Sequence, residues 1–527
     1  MSFLSIAFLV FLAIGLMCYY CCPKKQRWIV LLMLSLVFYC WGGVTPVLYV
    51  IGTAMTVWSS ALWINKIHKK NQTYIRENKA TLSSEGKKAL KARAKRKQRW
   101  IFITVLLINF GVLAVIKYYN FTLSTLWPHL GYEGVFKPIK FLVPMGISFY
   151  TFQAISYLID VYNAKYQAEK NPARFLLFVA FFPQVVQGPI GRYDQLGEQL
   201  KEEHKLEHKN LSHGAILMLW GYFTKLIIAD RMAPVVATVF NSPGEFGGCV
   251  TVIGVFFYAI QLYADFAGGI NIVTGAAEMF GIKLAPNFKR PYFATSLGDF
   301  WHRWHISLGN WMRDYVFYPF AVSKPVSNMS KALKKKSVYL SRVLPAVLGN
   351  ILVFLIVGIW HGAQWSYVFW GLYNGIVLAL SAMLEPLFKK VTKKIPKLHG
   401  SWVWHIFAVL RTFVVVCIGY YFDRAPTIND AFVMFKQTFL CPMGVQLTDG
   451  TLLQLGIDAA DYRILIAGMI LVFALSFFQE RGVCIREWLD KRNVVIRWGL
   501  IYMLIFAIFA FIMTDVVETE AFMYAIF

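Results

Sequence analysis

Charged side chains are scarce in this chain, at 15% of 527 residues, whereas soluble proteins usually carry about 25%. No hydrophilic stretch is long enough to form a soluble domain, and apolar runs recur from end to end. The mean hydropathy is +0.52. Repeated apolar runs of this kind are typical of bilayer-spanning helices. The sequence therefore predicts an all-α, polytopic membrane protein that forms one domain over residues 1–527.

Acidic residues are few, 28 against 53 Lys and Arg, so the formal net charge is +25. In a soluble protein, such an excess would indicate a nucleic-acid partner. Here the basic residues lie in short segments beside apolar runs, which is the positive-inside pattern of membrane proteins. We therefore expect contacts with membrane lipids and with a phosphate-bearing ligand, and no nucleic acid.

The eight cysteines form no disulfide framework, and several enzyme motifs are missing. Cys18, Cys21 and Cys22 follow the first apolar run. We interpret the cysteines as free thiols, with juxtamembrane acylation as the alternative. The sequence has no G-x-S-x-G motif, no Walker loop and no carboxylate pair at glycosidase-like spacing. Nothing in it resembles an ATP-driven pump.

Apolar runs predict about twelve membrane segments, with 11–13 transmembrane or re-entrant helices around a central funnel. A run at 175–190 contains Pro183, Gly188 and Pro189, so we expect a broken or re-entrant segment there. The first run is not followed by a small-residue cleavage site, which favours a retained helix. The twelve runs are 3–20, 28–39, 49–64, 100–118, 139–158, 211–240, 250–280, 344–360, 365–384, 402–421, 464–478 and 494–513.

The segment 66–99 contains the densest group of basic residues and determines the predicted orientation. We place it in the cytoplasm. Counting spans from this loop puts both termini outside the cytoplasm, including a C-terminal tail at 514–527. The same count puts His361 in a tight turn of a hairpin that is rooted in the cytoplasm. That turn therefore points towards the extracytoplasmic side of the membrane.

Polar and ionisable residues are concentrated between Asp299 and His361, in a chain that is otherwise mostly apolar. An ionisable side chain at membrane depth costs at least about 2.5–3.5 kcal/mol, so it indicates a functional site. Histidine titrates near neutrality and can take a proton from a weak nucleophile. We therefore predict that His361 is a catalytic base inside the membrane. The segment 301–305 is expected to be an interfacial or re-entrant helix that dips inwards.

His302 and His305 are three residues apart and would share a face on a helix. Two ligands without a nearby third make a weak metal site, so we predict no metal, and the aromatic neighbours allow a simple interfacial anchor instead. A second pattern, H-x-x-E-H at 204–208, lies among Lys and Glu and is interpreted as a solvated face. Asp265 and Glu278 fall in one apolar run, where each could line a cavity or pair with a buried Arg.

Several stretches resemble the membrane-bound O-acyltransferase family, most closely its bacterial branch of alginate O-acetylases and peptidoglycan O-acetyltransferases. Together they cover about residues 144–375. The matching stretches are Pro144-Met145-Gly146-Ile147-Ser148-Phe149-Tyr150-Thr151-Phe152-Gln153, Phe181-Phe182-Pro183-Gln184, Gly188-Pro189-Ile190, Tyr263-Ala264-Asp265-Phe266, Asp299-Phe300-Trp301-His302-Arg303-Trp304-His305-Ile306-Ser307-Leu308 and Trp360-His361-Gly362.

The resemblance implies that His361 corresponds to the family's essential histidine and His305 to the second histidine of its signature. His302 departs from the branch, where Arg or Asn is more usual. Further candidates for lining a funnel or positioning the donor are Trp304, Asn310, Arg313, Asp314, Trp360 and Asp265. The tail around Tyr524 resembles the short terminal motif of alginate-type members, with a tyrosine between aromatics. Tyr524 is therefore a candidate acyl relay, and an apolar anchor is the alternative.

The expected function is that of an O-acyltransferase in a bacterial cytoplasmic membrane. It would move an acyl group, most simply acetyl, from a cytoplasmic thioester towards an exported polysaccharide. The donor is acetyl-CoA or an acyl carrier phosphopantetheine thioester, used as substrate with no bound cofactor. An extracytoplasmic SGNH or esterase-like transferase is the expected partner. The alternatives are D-alanyl transfer to teichoic acid, acylation of a membrane lipid and, least favoured, transport.

Overall fold

The computed structural model describes residues 1–127, 137–512 and Phe522. Within these residues the regular structure is helical, which confirms the all-α prediction. The α-helices, numbered in chain order, are α1 Ile6–Cys21, α2 Arg27–Cys40, α3 Val44–Glu77, α4 Ser84–Leu126, α5 Ile147–Tyr162, α6 Pro172–Ala180, α7 His208–Tyr222, α8 Asp230–Asn241, α9 Gly248–Met279, α10 Leu297–Arg303, α11 Ile306–Met312, α12 Tyr318–Ala321, α13 Lys324–Lys334, α14 Val338–His361, α15 Trp365–Lys394, α16 Pro396–His399, α17 Trp402–Arg424, α18 Ile428–Leu440, α19 Ala459–Glu480, α20 Ile485–Asp490 and α21 Val494–Phe511.

Nine helices in the described part of the chain are long and apolar enough to cross a membrane. They are α3, α4, the continuous α7–α8 helix, α9, α14, α15, α17, α19 and α21. The other three predicted runs form α1, α2 and α5, which have 16, 14 and 16 residues. A 16-residue helix is about 24 Å long, which is less than the hydrocarbon core of about 30 Å. Each of the twelve predicted runs thus contains a helix within its described residues, although 139–146 of the run 139–158 is not helical. Three of these helices are short for a full crossing.

The chain divides into two compact units, and each is described separately. The first unit comprises the described residues of 1–215 together with 273–285. Its predicted break is confirmed, because α6 ends at Ala180 and the following buried residues are not helical. Gly146 is essential to this packing, since its φ is +74° and an added Cβ would lie 1.9 Å from the carbonyl oxygen of Val185.

The second unit comprises residues 216–272 and the described residues of 286–524. Helices α14 and α15 form a hairpin in this unit, and glycines allow the two backbones to meet. A Cβ added to Gly358 would lie 2.4 Å from the carbonyl oxygen of Tyr367 and 3.1 Å from Cα of Gly371. This close approach fixes the end of α14, where His361 is located.

Candidate active site

The helix predicted around residues 301–305 is broken at its centre. Helix α10 begins after Ser296, whose hydroxyl accepts a hydrogen bond from the backbone N–H of Asp299, and it ends at Arg303. Helix α11 begins at Ile306, with His305 as its N-cap at φ 45° and ψ 52°. A non-glycine residue in this left-handed region is strained by about 1 kcal/mol or more and is often part of a functional site. The strain at His305 indicates that surrounding contacts hold it in place.

This break corrects the prediction that His302 and His305 share one helical face. Since the helix ends between them, their side chains are in different environments. His302 is exposed, whereas His305 is only 3% exposed. The two residues therefore do not form a matched pair: both line the cavity described below, but only the His305 side chain is buried.

The segment before α10 anchors the broken helix. The backbone N–H of Lys289 donates to the carbonyl oxygen of Arg303 at 2.9 Å, and the N–H of Ile306 donates to that of Asn287 at 3.0 Å. The side chain of Asn287 lies in the same place, with Oδ1 3.2 Å from Nδ1 of His305. These contacts on both sides of the break fix the position of the His305 ring.

An ion-pair cluster links the same region to the end of α19. Arg303 pairs with Asp299 at 2.8 Å and with Glu480 at 2.8 Å. Glu480 also pairs with Arg290 at 2.5 Å. Since one carboxylate binds both Arg290, before α10, and Arg303, the last residue of α10, the cluster holds α10 and the residues before it together.

His361 is the last residue of α14 and is 6% exposed. The turn after it is tight, because a Cβ added to Gly362 would lie 2.4 Å from the Tyr367 ring. The ring centroid of Trp370 lies 4.8 Å from that of His361. Trp360 lies near both histidines, with its ring centroid 5.4 Å from that of His361 and 6.2 Å from that of His305.

His305 and His361 line one cavity of about 370 Å³ within the second unit. Burial, and to a lesser extent the charge of His361, lowers the pKa of His305 to about 3. His305 is therefore neutral at physiological pH. Apolar and aromatic side chains, among them Trp301, Leu308 and Phe354, form much of the wall. Such a site combines a largely apolar wall with basic nitrogen atoms, which suits proton transfer.

The structure brings most of the candidate residues to this cavity, although not all of them. Trp304, Asn310 and Arg313 line it together with the two histidines, and Trp360 packs against both histidine rings. Asp314 pairs with Arg313 at 3.0 Å and is not part of the wall. Asp265 is also outside the wall, and Tyr524 lies outside the described residues.

Sequence reasoning missed two residues of this unit. Lys225 is buried in a short π-helical segment, Phe223–Ala229, where α7 passes into α8. A single lysine inside the apolar run 211–240 was a detectable signal, because an ionisable residue at membrane depth is rarely accidental. Asn287 had no such signal, since it lies in a polar stretch beside Lys289 and Arg290.

A polytopic helical fold with two buried histidines in one cavity is suited to proton transfer within a membrane protein. The profile described as MBOAT, membrane-bound O-acyltransferase family, matches residues 168–422. The chain belongs to this family, and it also covers 78% of a relative to which it is 31% identical. Membership of this family makes the protein an O-acyltransferase.

Three named relatives show the range of the similarity. A probable alginate O-acetylase, AlgI, of Azotobacter vinelandii is 31% identical over 83% of this chain and 78% of its own. A peptidoglycan O-acetyltransferase of Helicobacter pylori is 30% identical over 64% of each chain. A teichoic acid D-alanyltransferase of Bacillus subtilis is 30% identical over 57% of this chain and 73% of its own.

Proposed function

We propose that this enzyme transfers acetyl groups from a cytoplasmic thioester for O-acetylation of an exported polysaccharide. The observation that carries the proposal is the single cavity lined by His305 and His361. The relatives that cover most of the chain support the acetyl group and the polysaccharide, since they are named as an alginate O-acetylase and a peptidoglycan O-acetyltransferase. D-alanyl transfer has less support because that relative matches a smaller part of this chain.

The proposed step uses His361 as the base. The hydroxyl O–H bond breaks as its proton passes to an imidazole nitrogen of His361, and the oxygen forms a bond to the thioester carbonyl carbon. The C–S bond then breaks, and the thiolate recovers the proton from His361. The product is an oxygen ester and a free thiol. His305 shares the cavity and positions the reacting groups.

The site also has to connect two compartments. We propose that the protein lies in the bacterial cytoplasmic membrane with both termini outside, and that a funnel links the two sides. The donor is acetyl-CoA or a carrier-bound phosphopantetheine thioester. Tyr524 is proposed to receive the acetyl group and pass it to an extracytoplasmic SGNH-type transferase. The hydroxyl in the first step is then the phenol of Tyr524.

The test is to reconstitute the purified protein in liposomes with acetyl-CoA labelled in the acetyl group. Thiol release and transfer of label to protein are measured first. Label in added polysaccharide is measured with and without an extracytoplasmic transferase from the same cell. Parallel liposomes receive a D-alanyl carrier thioester. Acetyl transfer with no D-alanyl transfer supports the proposal. D-alanyl transfer with no acetyl transfer would instead show that the enzyme is a D-alanyltransferase.

A further inference from the structure

Asn287 is placed to determine which nitrogen of His305 carries the proton. Its Oδ1 lies 3.2 Å from His305 Nδ1, 3.1 Å from the backbone nitrogen of Ser307 and 2.8 Å from Ser307 Oγ. Asn287 is 2% exposed, so this arrangement is isolated from solvent. One amide oxygen is thus surrounded by three potential donors.

The backbone of Ser307 fixes the orientation of this amide. A backbone N–H can only donate, so the Asn287 atom that faces it must be the oxygen rather than the nitrogen. The same oxygen faces Nδ1 of His305, which must therefore donate as well. In a neutral imidazole, one ring nitrogen carries hydrogen and the other accepts. Nε2 of His305 is then the nitrogen with the lone pair.

The backbone reinforces the same geometry. The carbonyl of Asn287 accepts from the N–H of Ile306, directly after His305. His305 itself has a left-handed backbone that ordinary residues rarely adopt. The ring of Phe266 stands edge-on to the His305 ring at 4.9 Å between centroids. The His305 ring is therefore held on several sides, and rotation that would exchange its two nitrogens is opposed.

We propose that Asn287 is a positioning residue that holds His305 in the Nδ1–H tautomer, so that His305 serves the acyl transfer as a hydrogen-bond acceptor through Nε2. This inference rests on the proposed function of the cavity. It narrows the role of His305, because neutral Nε2 cannot donate a hydrogen bond to an oxyanion. Nε2 of His305 instead accepts a hydrogen bond from the attacking hydroxyl or from an N–H of the His361 imidazole.

The tautomer can be read directly by nitrogen-15 NMR of the full-length protein labelled at histidine, in lipid. The His305 signals are identified by their loss in His305→Gln. We expect protonated Nδ1 and unprotonated Nε2 in the wild type. In Asn287→Leu, which keeps similar bulk and removes the acceptor, we expect the Nε2–H tautomer to increase. Protonated Nε2 in the wild type, or an unchanged tautomer in Asn287→Leu, would overturn the inference.

Kinetics provide the second measurement. Asn287→Leu is expected to lower kcat by roughly 10²-fold, the scale of a single proton-transfer group, with little change in KM. Asn287→Asp keeps the acceptor and the Nδ1–H tautomer, so it should retain most activity at high pH. Its carboxylate raises the pKa of His305, and the acid limb of the rate profile should therefore move to higher pH. His302, Arg313 and His361 line the same cavity and are unchanged in both variants.

A matched control is Asn109→Leu. Asn109 is a buried amide of the first unit, and its Nδ2 donates to the carbonyl of Val105 at 2.9 Å. We expect wild-type kcat and an unchanged His305 tautomer. Full activity in His305→Gln would overturn the catalytic use of His305, while the NMR result would still decide the role of Asn287. Equal loss of kcat in Asn287→Asp and Asn287→Leu, with no pH shift, would contradict the positioning role.

Discussion

The ammonium group of Lys225 lies 2.6 Å from Oδ1 of Asp265 and 2.7 Å from Oδ1 of Asp230. The Lys225 and Asp265 side chains are each 2% exposed. Asp265 was expected either to line a cavity or to pair with a buried Arg. It does pair with a buried cation, although that cation is a lysine, and it does not line the described cavity. The cluster joins α9 to the junction of α7 and α8.

Removing the cation from this cluster should destabilise the protein strongly. Lys225→Met leaves two buried carboxylates without their cation, and breaking a buried pair costs about 3–5 kcal/mol. Asp265→Asn should cost less, because Asp230 still neutralises Lys225. Thermal unfolding in detergent is the measurement. Lys165→Met is the control, since Lys165 is 47% exposed and its pairs with Asp160 and Asp194 should contribute only about 0–1 kcal/mol. Equal unfolding temperatures for Lys225→Met and Lys165→Met would contradict the account.

The loop between α3 and α4 should be cytoplasmic and the N-terminus should lie outside. Several native cysteines are exposed, so all eight are first replaced by Ser. Thr81→Cys and Ser2→Cys then place single thiols at exposed positions. A membrane-impermeant reagent added to intact cells should label the Ser2→Cys protein, and it should label Thr81→Cys only after lysis. Labelling of Thr81→Cys in intact cells would reverse the proposed orientation.

Tyr524→Phe should keep binding of the acyl donor but lose transfer of the acetyl group to the polymer. Phe522, two residues earlier, is 4% exposed, and its ring centroid lies 5.2 Å from Nζ of Lys225. This contact places Phe522 beside the buried Lys225 of the second unit. A phenol has a pKa of about 10 and needs a base in order to attack a thioester. Removing the hydroxyl should leave donor binding intact and abolish polymer acetylation. Wild-type polymer acetylation by Tyr524→Phe would show that the tail is only an anchor.

The stability of the wild type should depend on pH through His305. Burial, and to a lesser extent the charge of His361, lowers its pKa from an ordinary value of 6.5 to about 3. Between these values the unfolded chain binds a proton that the folded chain does not, so the free energy of unfolding falls as the pH is lowered. The slope is about 1.4 kcal/mol per pH unit. Between about pH 7 and pH 5, the unfolding temperature of the wild type should fall more than that of His305→Gln. Parallel curves would contradict the buried neutral state.

The helices could be predicted from sequence because their cause is local. A long apolar run in a chain of this composition must satisfy its own backbone hydrogen bonds, and a helix does so within the segment. The break before Pro183 was predictable for the same reason, since proline removes a donor. His305 and His361 were also detectable, because ionisable residues are expensive among apolar ones.

The finer geometry could not be predicted because its causes are distant in sequence. The break at His305 depends on contacts with Asn287 and Lys289, which lie 18 and 14 residues from their partners. Helical periodicity placed His302 and His305 on one face, although the structure ends α10 between them. The tautomer of His305 depends on an amide whose importance only the folded contacts reveal.

The central claim is that His361 is the base that activates the attacking hydroxyl. The most direct measurement is the initial rate of labelled acetyl transfer by His361→Ala in liposomes, with His405→Ala as control, because His405 is an exposed histidine of the same unit. We expect the rate of His361→Ala to fall by roughly 10²–10⁴-fold, with membrane insertion and unfolding temperature close to wild type, and the control to keep its full rate. Full transfer activity in a correctly inserted His361→Ala protein would contradict the account.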